Sequence, residues 1–391
     1  MTKKTTVLTK CLSITLAASL GLFMTGCGPI DSLLPEAPDP RSVGVVVQNT
    51  SGTPVWSMPG EVSDAIEQAS ATGGTVTVTV ADGSPTTEVF DFSQVADSNI
   101  NRKRMQKKVQ AALNATADDT GCDMLKSVET GAASLASCDN LIGLYVISNG
   151  LCDSGLLDMT SGLLVESDPE QVAEFYAAKN ELADLSHVKK LSWYGMGSTS
   201  GNQPAPSNAQ AAAITALWDK VLAKCGLTLD ARPDAVAASG ARKNAPKVGT
   251  VPFESAQTFD TAAVKTKEST TVTYTPTQLG FVGDSCEFVD IEQARAALSS
   301  VASTLRENPN LRATVIASAA THPREGYSQQ LSEDRAAAVR EALVAMSVPK
   351  SQVSAKGIGS GKPDDIDPAT GLQIPEKSAA KRRVVIKIAS V

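Results

Sequence analysis

The sequence predicts an α/β domain, with an open, mostly parallel sheet and helices on both faces, followed by an α+β domain. In the first half of the chain, apolar runs typical of strands buried on both faces alternate with helical patterns, as in doubly wound sheets. In the last third, strands and helices alternate more briefly and the order ends on a strand. With 391 residues and 42% hydrophobic content, the chain is long enough for two cores.

Two periodicities predict the elements of the first domain. Strands are recognised as short apolar runs or as alternating Thr and Val, and helices by apolar residues three or four positions apart. Strands are expected at residues 43–47, 75–80, 141–147 and 191–196. Helices are expected at residues 62–69, 105–113 and 209–222, and the pair Gly73-Gly74 ends the first of them.

The second domain begins with a strand over 270–275 and a helix over 291–305 that has one apolar face. Asp290 is placed to cap this helix, and Gln293 is placed to complete a capping box. The remaining predictions are strands at 311–318, 353–358 and 383–388, a loop at 323–328 and a helix at 331–346.

Composition divides the chain into segments. Residues 29–42 are rich in Pro and lack periodicity, which predicts a tether, and residues 234–267 lack a sustained apolar period, which predicts a linker. The expected organisation is a leader, a tether, an α/β domain, a linker and an α+β domain, at residues 1–26, 27–42, 43–232, 233–268 and 269–391.

Several classes of function are disfavoured. The 35 Lys and Arg residues are outnumbered by 42 Asp and Glu residues, and a net charge of −7 argues against a nucleic-acid partner. The chain has two His residues, His187 and His322, and no Cys-x-x-Cys, so no metal centre is expected. Nucleotide fingerprints and nucleophile elbows are also missing, so we expect no cofactor and no enzyme activity.

The first residues indicate export. A positively charged segment with Lys3, Lys4 and Lys10 precedes an apolar run that is too short to span a bilayer. This is the pattern of a secretory signal peptide. The run ends Met-Thr-Gly-Cys at 24–27, which resembles the bacterial lipobox. This resemblance implies cleavage before Cys27 and attachment of a diacylglycerol and a further fatty acid such as palmitate, enough for stable membrane anchoring.

Five cysteines remain after Cys11 of the leader and Cys27. An oxidising compartment favours disulfides, but an odd number leaves at least one thiol unpaired within the chain. We expect the pairs Cys152–Cys225 and Cys122–Cys138, although the sequence alone does not determine the pairing.

Polar residues follow two strands of the predicted parallel sheet. Asn49 follows the first strand and Asn149 follows a central one, at the sheet edge where such folds bind ligands. Their order and spacing resemble a von Willebrand factor A-type domain, whose metal site has Asp at both positions, with Ser51 and Thr53 in its hydroxyl positions. Since amides carry no charge, strong binding of a divalent ion is not expected. Two interpretations stay open: a metal-free domain of this type, or a generic α/β domain with turn-forming Asn.

Three ordered strings lie in the second domain. Residues 331–336 read Leu-Ser-Glu-Asp-Arg-Ala, 357–361 read Gly-Ile-Gly-Ser-Gly, and 379–386 read Ala-Ala-Lys-Arg-Arg-Val-Val-Ile. Together they resemble the OmpA-like peptidoglycan-associating domain. The resemblance implies that an Asp in a Thr-Asp loop and the Arg of the helix hold the amino and carboxyl groups of diaminopimelate. Such a zwitterionic group requires one carboxylate and one guanidinium held close together.

Matching this family residue by residue gives a candidate peptidoglycan site with one conflict. Arg335 supplies the guanidinium and Leu331 opens its motif, while the family's loop Asn falls on Ser328. The Thr-Asp pair falls on Thr321 and His322, so an imidazole stands where the acid is expected. Because a protonated imidazole repels an ammonium group, His322 does not replace that acid.

Three interpretations of Arg335 follow. Peptidoglycan binding persists with altered geometry through Arg335, backbone groups and Glu325; or the domain binds another wall component or a protein; or Arg335 is satisfied internally by Glu333 or Asp334.

The predicted function is that of an extracytoplasmic lipoprotein, anchored in the cell membrane or an outer membrane, that links this membrane to peptidoglycan. The alternative is an envelope interaction or adhesion module acting through the first domain, with another envelope protein as partner and no diaminopimelate binding.

Overall fold

A six-stranded sheet forms the centre of the first domain. The computed structural model describes residues 39–95, 97–232, 237–253 and 269–390, without the side chains of 237–239. The predicted leader, Cys27 and most of the tether lie outside these residues. The strands of this domain are β1 (Ser42–Gln48), β2 (Pro54–Trp56), β3 (Thr75–Ala81), β4 (Thr86–Asp91), β5 (Leu141–Ile147), β6 (Lys190–Tyr194), β7 (Thr228–Arg232) and β8 (Ala237–Ala241). Its helices are α1 (Gly60–Thr72), α2 (Asn99–Asn114), α3 (Met124–Ala133), α4 (Pro169–Ala178) and α5 (Asn208–Lys224).

The strand order of the large sheet is β4-β3-β1-β5-β6-β7. Neighbouring strands are parallel except β3 and β4, so the predicted open, mostly parallel sheet is confirmed. Along β1, Val45 packs in a core with α1 and α2, whereas Val46 packs in a second core with α3, α4 and α5. Both faces of the strand are therefore buried, which explains its continuous apolar sequence.

Part of the stretch predicted as a linker packs onto this domain instead. The strand β8 pairs with β2, and Val251 is buried in the core that contains α5. Gln203 fixes this segment, because its side chain accepts from Val251 N and donates to Val251 O, both at 2.9 Å. Nearby, Ser51 N donates to Pro246 O at 3.1 Å, so residues 246–251 cover the edge of the sheet beyond β1. The stretch has no apolar periodicity, which is why the sequence predicted a linker.

The second domain is α+β, as predicted. Its elements are β9 (Ser269–Tyr274), α6 (Pro276–Leu279), α7 (Ile291–Glu307), β10 (Leu311–Ala317), α8 (Tyr327–Ala345), β11 (Val353–Gly357), α9 (Pro375–Lys381) and β12 (Val384–Ser390). The sheet order is β11-β10-β12-β9, with β10 and β11 parallel and the other pairs antiparallel. Alternate residues of β10, such as Val315, pack against Leu298 of α7 and Val339 of α8 in one core.

The start of α7 agrees with the sequence prediction at Asp290 and differs from it at Gln293. Asp290 caps α7 as predicted, because its Oδ1 accepts from the backbone N–H groups of Glu292 and Gln293. The Gln293 side chain does not complete a capping box; it donates to Thr277 O at 2.8 Å and so joins α7 to α6. None of the helices in the described ranges is long and apolar enough to cross a membrane.

Candidate functional site

Arg335 lies on α8, and 8% of the residue is exposed to solvent. Its Nε donates to Ser285 O at 2.8 Å and its Nη2 donates to Val282 O at 3.4 Å. The guanidinium carbon lies 5.1 Å from the centre of the Phe281 ring, a cation–π contact. Within the described residues no carboxylate forms an ion pair with Arg335. The residue is thus held in place by neutral groups, and its charge is left available.

The acids next to Arg335 in sequence do not serve it. Glu333 accepts from Gln329 at 2.7 Å and Asp334 accepts from Gln330 at 2.9 Å, and both acids are exposed. The expectation that one of them satisfies Arg335 internally is therefore not met. Glu325 is also exposed and lies outside the groove that Arg335 lines.

Thr321 is engaged by a carboxylate that is distant in sequence. Its backbone N–H donates to Asp365 Oδ2 at 2.9 Å and its Oγ1 donates to Asp365 Oδ1 at 2.5 Å. Lys381 and Ser378 also donate to Asp365, at 2.6 and 3.2 Å. Burial opposes ionisation of Asp365, but the hydrogen bonds from Lys381 and Thr321 outweigh it and lower the pKa to about 2. Asp365 is therefore ionised, and its oxygens are occupied.

His322 has a defined orientation in the groove. The centroid of its ring lies 4.1 Å from that of the Tyr327 ring. Its Nδ1 accepts a hydrogen bond from the backbone N–H of Arg324 at 3.0 Å. Since Nδ1 is an acceptor, a neutral ring carries its proton on Nε2. His322 can therefore donate to a carboxylate but cannot accept from an ammonium group.

Ser328 and Leu331 have different roles. Ser328 is buried behind the loop, where its hydroxyl accepts from His322 N at 3.1 Å and donates to Ala320 O at 2.9 Å. Leu331 lines the groove together with His322 and Arg335. The structure thus brings together three of the five predicted site residues, while Thr321 and Ser328 lie behind them and shape the loop.

The groove has a second wall that comes from the first domain. The groove has a volume of about 470 Å³. The described residues that line it from the first domain include 165–169, Gln171 of α4 and small side chains of α5. The residues on the other side include Phe281, Gly283, Asp284, Arg335 and the arginines of 382–383. The groove is therefore lined by residues of both domains.

Arg382 provides a second guanidinium in this groove, and the residue is partly buried. Its Nη2 donates to Gln373 Oε1 at 2.6 Å and also to Gln171 Oε1 of the first domain. Burial lowers the pKa of Arg382 and of Arg335, and the nearby charge of Arg382 lowers that of Arg335 further, while Asp284 opposes the shift in both. The groove therefore offers two adjacent cations held by uncharged side chains and backbone.

The predicted polar edge of the α/β sheet is closed. Asn49 and Asn149 are buried, at 0% and 1% exposure. Asn49 Nδ2 donates to Leu113 O and Ala115 O, and Asn149 Nδ2 donates to Gly52 O at 3.3 Å. Asn49 Oδ1 has no hydrogen-bond partner in the described chain. The two amides bind backbone and present no anionic oxygen, the ligand type that Mg²⁺ prefers.

Two other residues named for this edge have structural roles. Thr53 is buried and its hydroxyl donates to Thr50 O at 3.0 Å, and Ser51 accepts from Val248 N at 3.2 Å. Both hydroxyls therefore hold local backbone. The described residues contain no cluster of His, Cys, Asp or Glu arranged to hold a metal ion.

The five cysteines after Cys27 are free thiols, so the predicted pairs Cys122–Cys138 and Cys152–Cys225 are not formed. Cys122 and Cys152 line one small buried pocket, and Gln48 Nε2 donates to Cys122 Sγ at 3.2 Å. Cys122 thus lies beside Cys152 rather than facing Cys138, because the fold joins the two loops that precede α3 and follow β5.

Comparison with known proteins identifies the second domain. The model of the OmpA family matches residues 281–373. Among solved structures, the peptidoglycan-associated lipoprotein from Burkholderia pseudomallei is 26% identical and covers 32% of this chain and 91% of its own, with a TM-score of 0.23. The cell wall anchor of the T6SS from Pseudomonas aeruginosa is 23% identical and covers 32% and 82%, with a TM-score of 0.25.

The periplasmic domain of Helicobacter pylori MotB is 18% identical and covers 32% of this chain and 75% of its own, with a TM-score of 0.25. No curated protein matches the chain. Residues 281–373, which carry α7, α8 and the guanidinium of Arg335, form an OmpA-like domain.

Proposed function

We propose that this protein is a non-enzymatic lipoprotein of the cell envelope that binds peptidoglycan through residues 269–391 and links the wall to a membrane. The observation that carries the proposal is the buried, unneutralised guanidinium of Arg335 in a groove of an OmpA-like domain. The Burkholderia protein similar to this domain is itself described as peptidoglycan-associated.

A carboxylate is the ligand group that this groove suits. The Arg335 guanidinium is fixed by Ser285 O and Val282 O, so little side-chain entropy is lost when an anion binds. A charge-assisted hydrogen bond in a buried groove is stronger than its exposed equivalent. The free carboxylate of diaminopimelate in a stem peptide meets this requirement.

The proposed location follows from the leader. The lipobox-like residues 24–27 place a lipid on Cys27 in a compartment outside the cytoplasm, and residues 27–42 tether the folded part to the membrane. We further propose that residues 43–232 are a von Willebrand A-like domain without its metal. The adjacency of β1 and β5, which places Asn49 and Asn149 at one edge, supports this proposal.

Peptidoglycan binding is tested by co-sedimentation of the full chain with purified diaminopimelate-type sacculi. Wild type is expected in the pellet. Arg335→Ala is expected to lower the affinity for sacculi by at least about tenfold, and therefore the bound fraction, since a buried charged hydrogen bond is removed. Arg340→Ala is the matched control, because Arg340 lies on the same helix and bonds Val353 O and Glu341 outside the groove. Failure of wild type to sediment, or equal loss in both variants, contradicts the proposal.

The anchor is tested separately. Mass spectrometry of the mature N-terminus is expected to find a diacylglycerol and an acyl chain on Cys27, and Cys27→Ala is expected to release the protein from membranes. An unmodified Cys27 contradicts the proposed anchoring and leaves the peptidoglycan result unaffected.

A further inference from the structure

The groove at Arg335 has cations for a carboxylate, but a zwitterionic ligand also needs an acid for its ammonium group. His322 cannot accept from an ammonium, because Nδ1 already accepts from Arg324 N and the other ring nitrogen carries the proton. Asp365 is unavailable, since its oxygens receive hydrogen bonds from Thr321, Ser378 and Lys381. The carboxylate must come from another part of the groove.

Asp168 at the start of α4 lines the groove from the side of the first domain. Its Oδ1 caps the helix by accepting from Glu170 N at 3.0 Å and Gln171 N at 3.1 Å. Its Oδ2 receives no hydrogen bond from the described chain. A Cβ built on Gly283 would lie 3.8 Å from this oxygen, so the carboxylate faces the loop 281–285.

That loop is the one that holds Arg335. Arg335 donates to Val282 O and Ser285 O, on either side of the Gly283 that Asp168 faces. The guanidinium and the free carboxylate oxygen therefore flank one short loop. Asp168 also acts electrostatically on Arg382, the second guanidinium of the groove. An acid and a guanidinium beside one loop are the opposite charges that an amino group and a carboxyl group on the same carbon require.

Direct contacts fix Asp168 relative to the OmpA-like domain. Glu166 accepts from Thr277 N at 2.9 Å and from Thr277 Oγ1 at 2.7 Å, and Ser161 donates to Glu376 at 2.6 Å. Glu166 is buried, so its two hydrogen bonds with Thr277 are partly shielded from water and hold the two walls together.

We infer that Asp168 supplies the carboxylate that binds the ammonium group of a zwitterionic ligand whose carboxylate is bound by Arg335. The binding site is then composite, with one charge from each domain. This inference rests on the proposed function and adds that recognition of the wall requires the first domain.

The test compares meso-diaminopimelate with pimelate, the dicarboxylate of equal chain length without amines, by isothermal titration calorimetry on the full chain. Wild type is expected to prefer diaminopimelate. Asp168→Asn is expected to reduce this preference by about tenfold and to leave pimelate affinity unchanged or higher, because only the ammonium contact is lost. Asn is as good an N-cap as Asp, so α4 is retained.

Two further variants and one parallel assay make the result decisive. Asp123→Asn is the matched control, since Asp123 caps α3 by accepting from Lys126 N and does not line the groove. Asp284→Asn changes another of the acids that line the groove and is expected to have a smaller effect; the third acid, Glu166, already accepts from Thr277. An unchanged preference in Asp168→Asn, or loss of preference in Asp284→Asn alone, overturns the inference. Co-sedimentation with sacculi, measured in parallel, decides the proposed function; if wild type sediments but shows no preference for diaminopimelate, the inference alone fails.

Discussion

Lys381 Nζ lies 2.6 Å from Oδ1 of Asp365, a carboxylate with 0% exposure, and its own side chain is only 18% exposed. The same ammonium lies 2.7 Å from Asp364, whose side chain is 70% exposed. Through Thr321, Asp365 also bonds the loop that leads to His322. This buried ion pair therefore joins α9 to the loop that shapes the groove.

Asp365→Asn is expected to lower the free energy of unfolding by about 2–3 kcal/mol, because it leaves Lys381 without its buried counter-charge. Asp364→Asn removes a charge from the same lysine at an exposed position, and a change within about 0.5 kcal/mol is expected. Urea unfolding followed by circular dichroism measures both. Equal effects of the two variants would show that burial does not determine the strength of these pairs.

The pKa of Asp365 predicts how stability depends on acid pH. The pKa in the folded state is about 2, below the ordinary value of 3.8, so ionised Asp365 stabilises the fold above pH 3.8. This contribution is lost as the pH falls toward 2, since the unfolded chain then binds the proton more readily. Wild type is expected to lose stability over this interval more steeply than Asp365→Asn. Parallel pH profiles of the urea midpoint in the two proteins would contradict the assignment.

Patterns of apolar residues predicted four of the six strands in the large sheet of the first domain, all four strands in the sheet of the second domain, and the five longest helices of the described chain. The run 141–147 is β5 without a change of boundary, because a strand buried on both faces has an apolar sequence along its whole length. Short or polar elements such as β4 and α9 have no such pattern and were missed. The packing of residues 246–251 onto the first domain was missed as well, because the hydrogen bonds of this segment to Gln203 and Ser51 depend on tertiary structure.

The candidate site was predictable only where it is local in sequence. Arg335, Leu331 and His322 share one loop and helix, and the motif places them together. Asp365 and Asp168 reach the same region from other segments, and no spacing in the sequence indicates their approach. Arg382 lies in the string 379–386 that supported the resemblance, and its hydrogen bond to Gln171 could not be inferred without the first domain.

Gly357 on β11 determines how closely α8 approaches the sheet. A Cβ at this position would lie 2.3 Å from Glu333 N and 2.6 Å from Ser332 Oγ, on the helix that carries Arg335. Gly357→Ala is expected to destabilise the protein by about 1–3 kcal/mol and to weaken binding to sacculi, because α8 must move away. Gly60→Ala is the control, since no atom lies within 4 Å of its added Cβ. Thermal unfolding and co-sedimentation measure both effects, and an undisturbed Gly357→Ala would contradict this packing argument.

Because amides stand at the edge of the first sheet, we expect divalent cations not to change the thermal stability of the protein. Asn49 and Asn149 offer no charged ligand, and the buried space beside Asn149 is about 10 Å³. Millimolar Mg²⁺ is expected to leave the thermal midpoint of the full chain unchanged relative to an equal ionic strength of NaCl. An increase specific to Mg²⁺, abolished by Asn149→Ala, would show that the edge still binds a metal ion.

The cysteines differ in burial, and their reactivity toward iodoacetamide is expected to follow it. Burial raises the pKa of the Cys122 and Cys152 thiols well above the ordinary value and that of Cys225 to about 11, so few thiolates form in the folded protein. Cys138 and Cys286 are partly exposed. Peptide mass spectrometry after native alkylation at mildly alkaline pH is expected to find these two modified, and all five modified only after unfolding. If Cys138 resists alkylation until a reductant is added, Cys138 is part of a disulfide and the free-thiol arrangement is wrong.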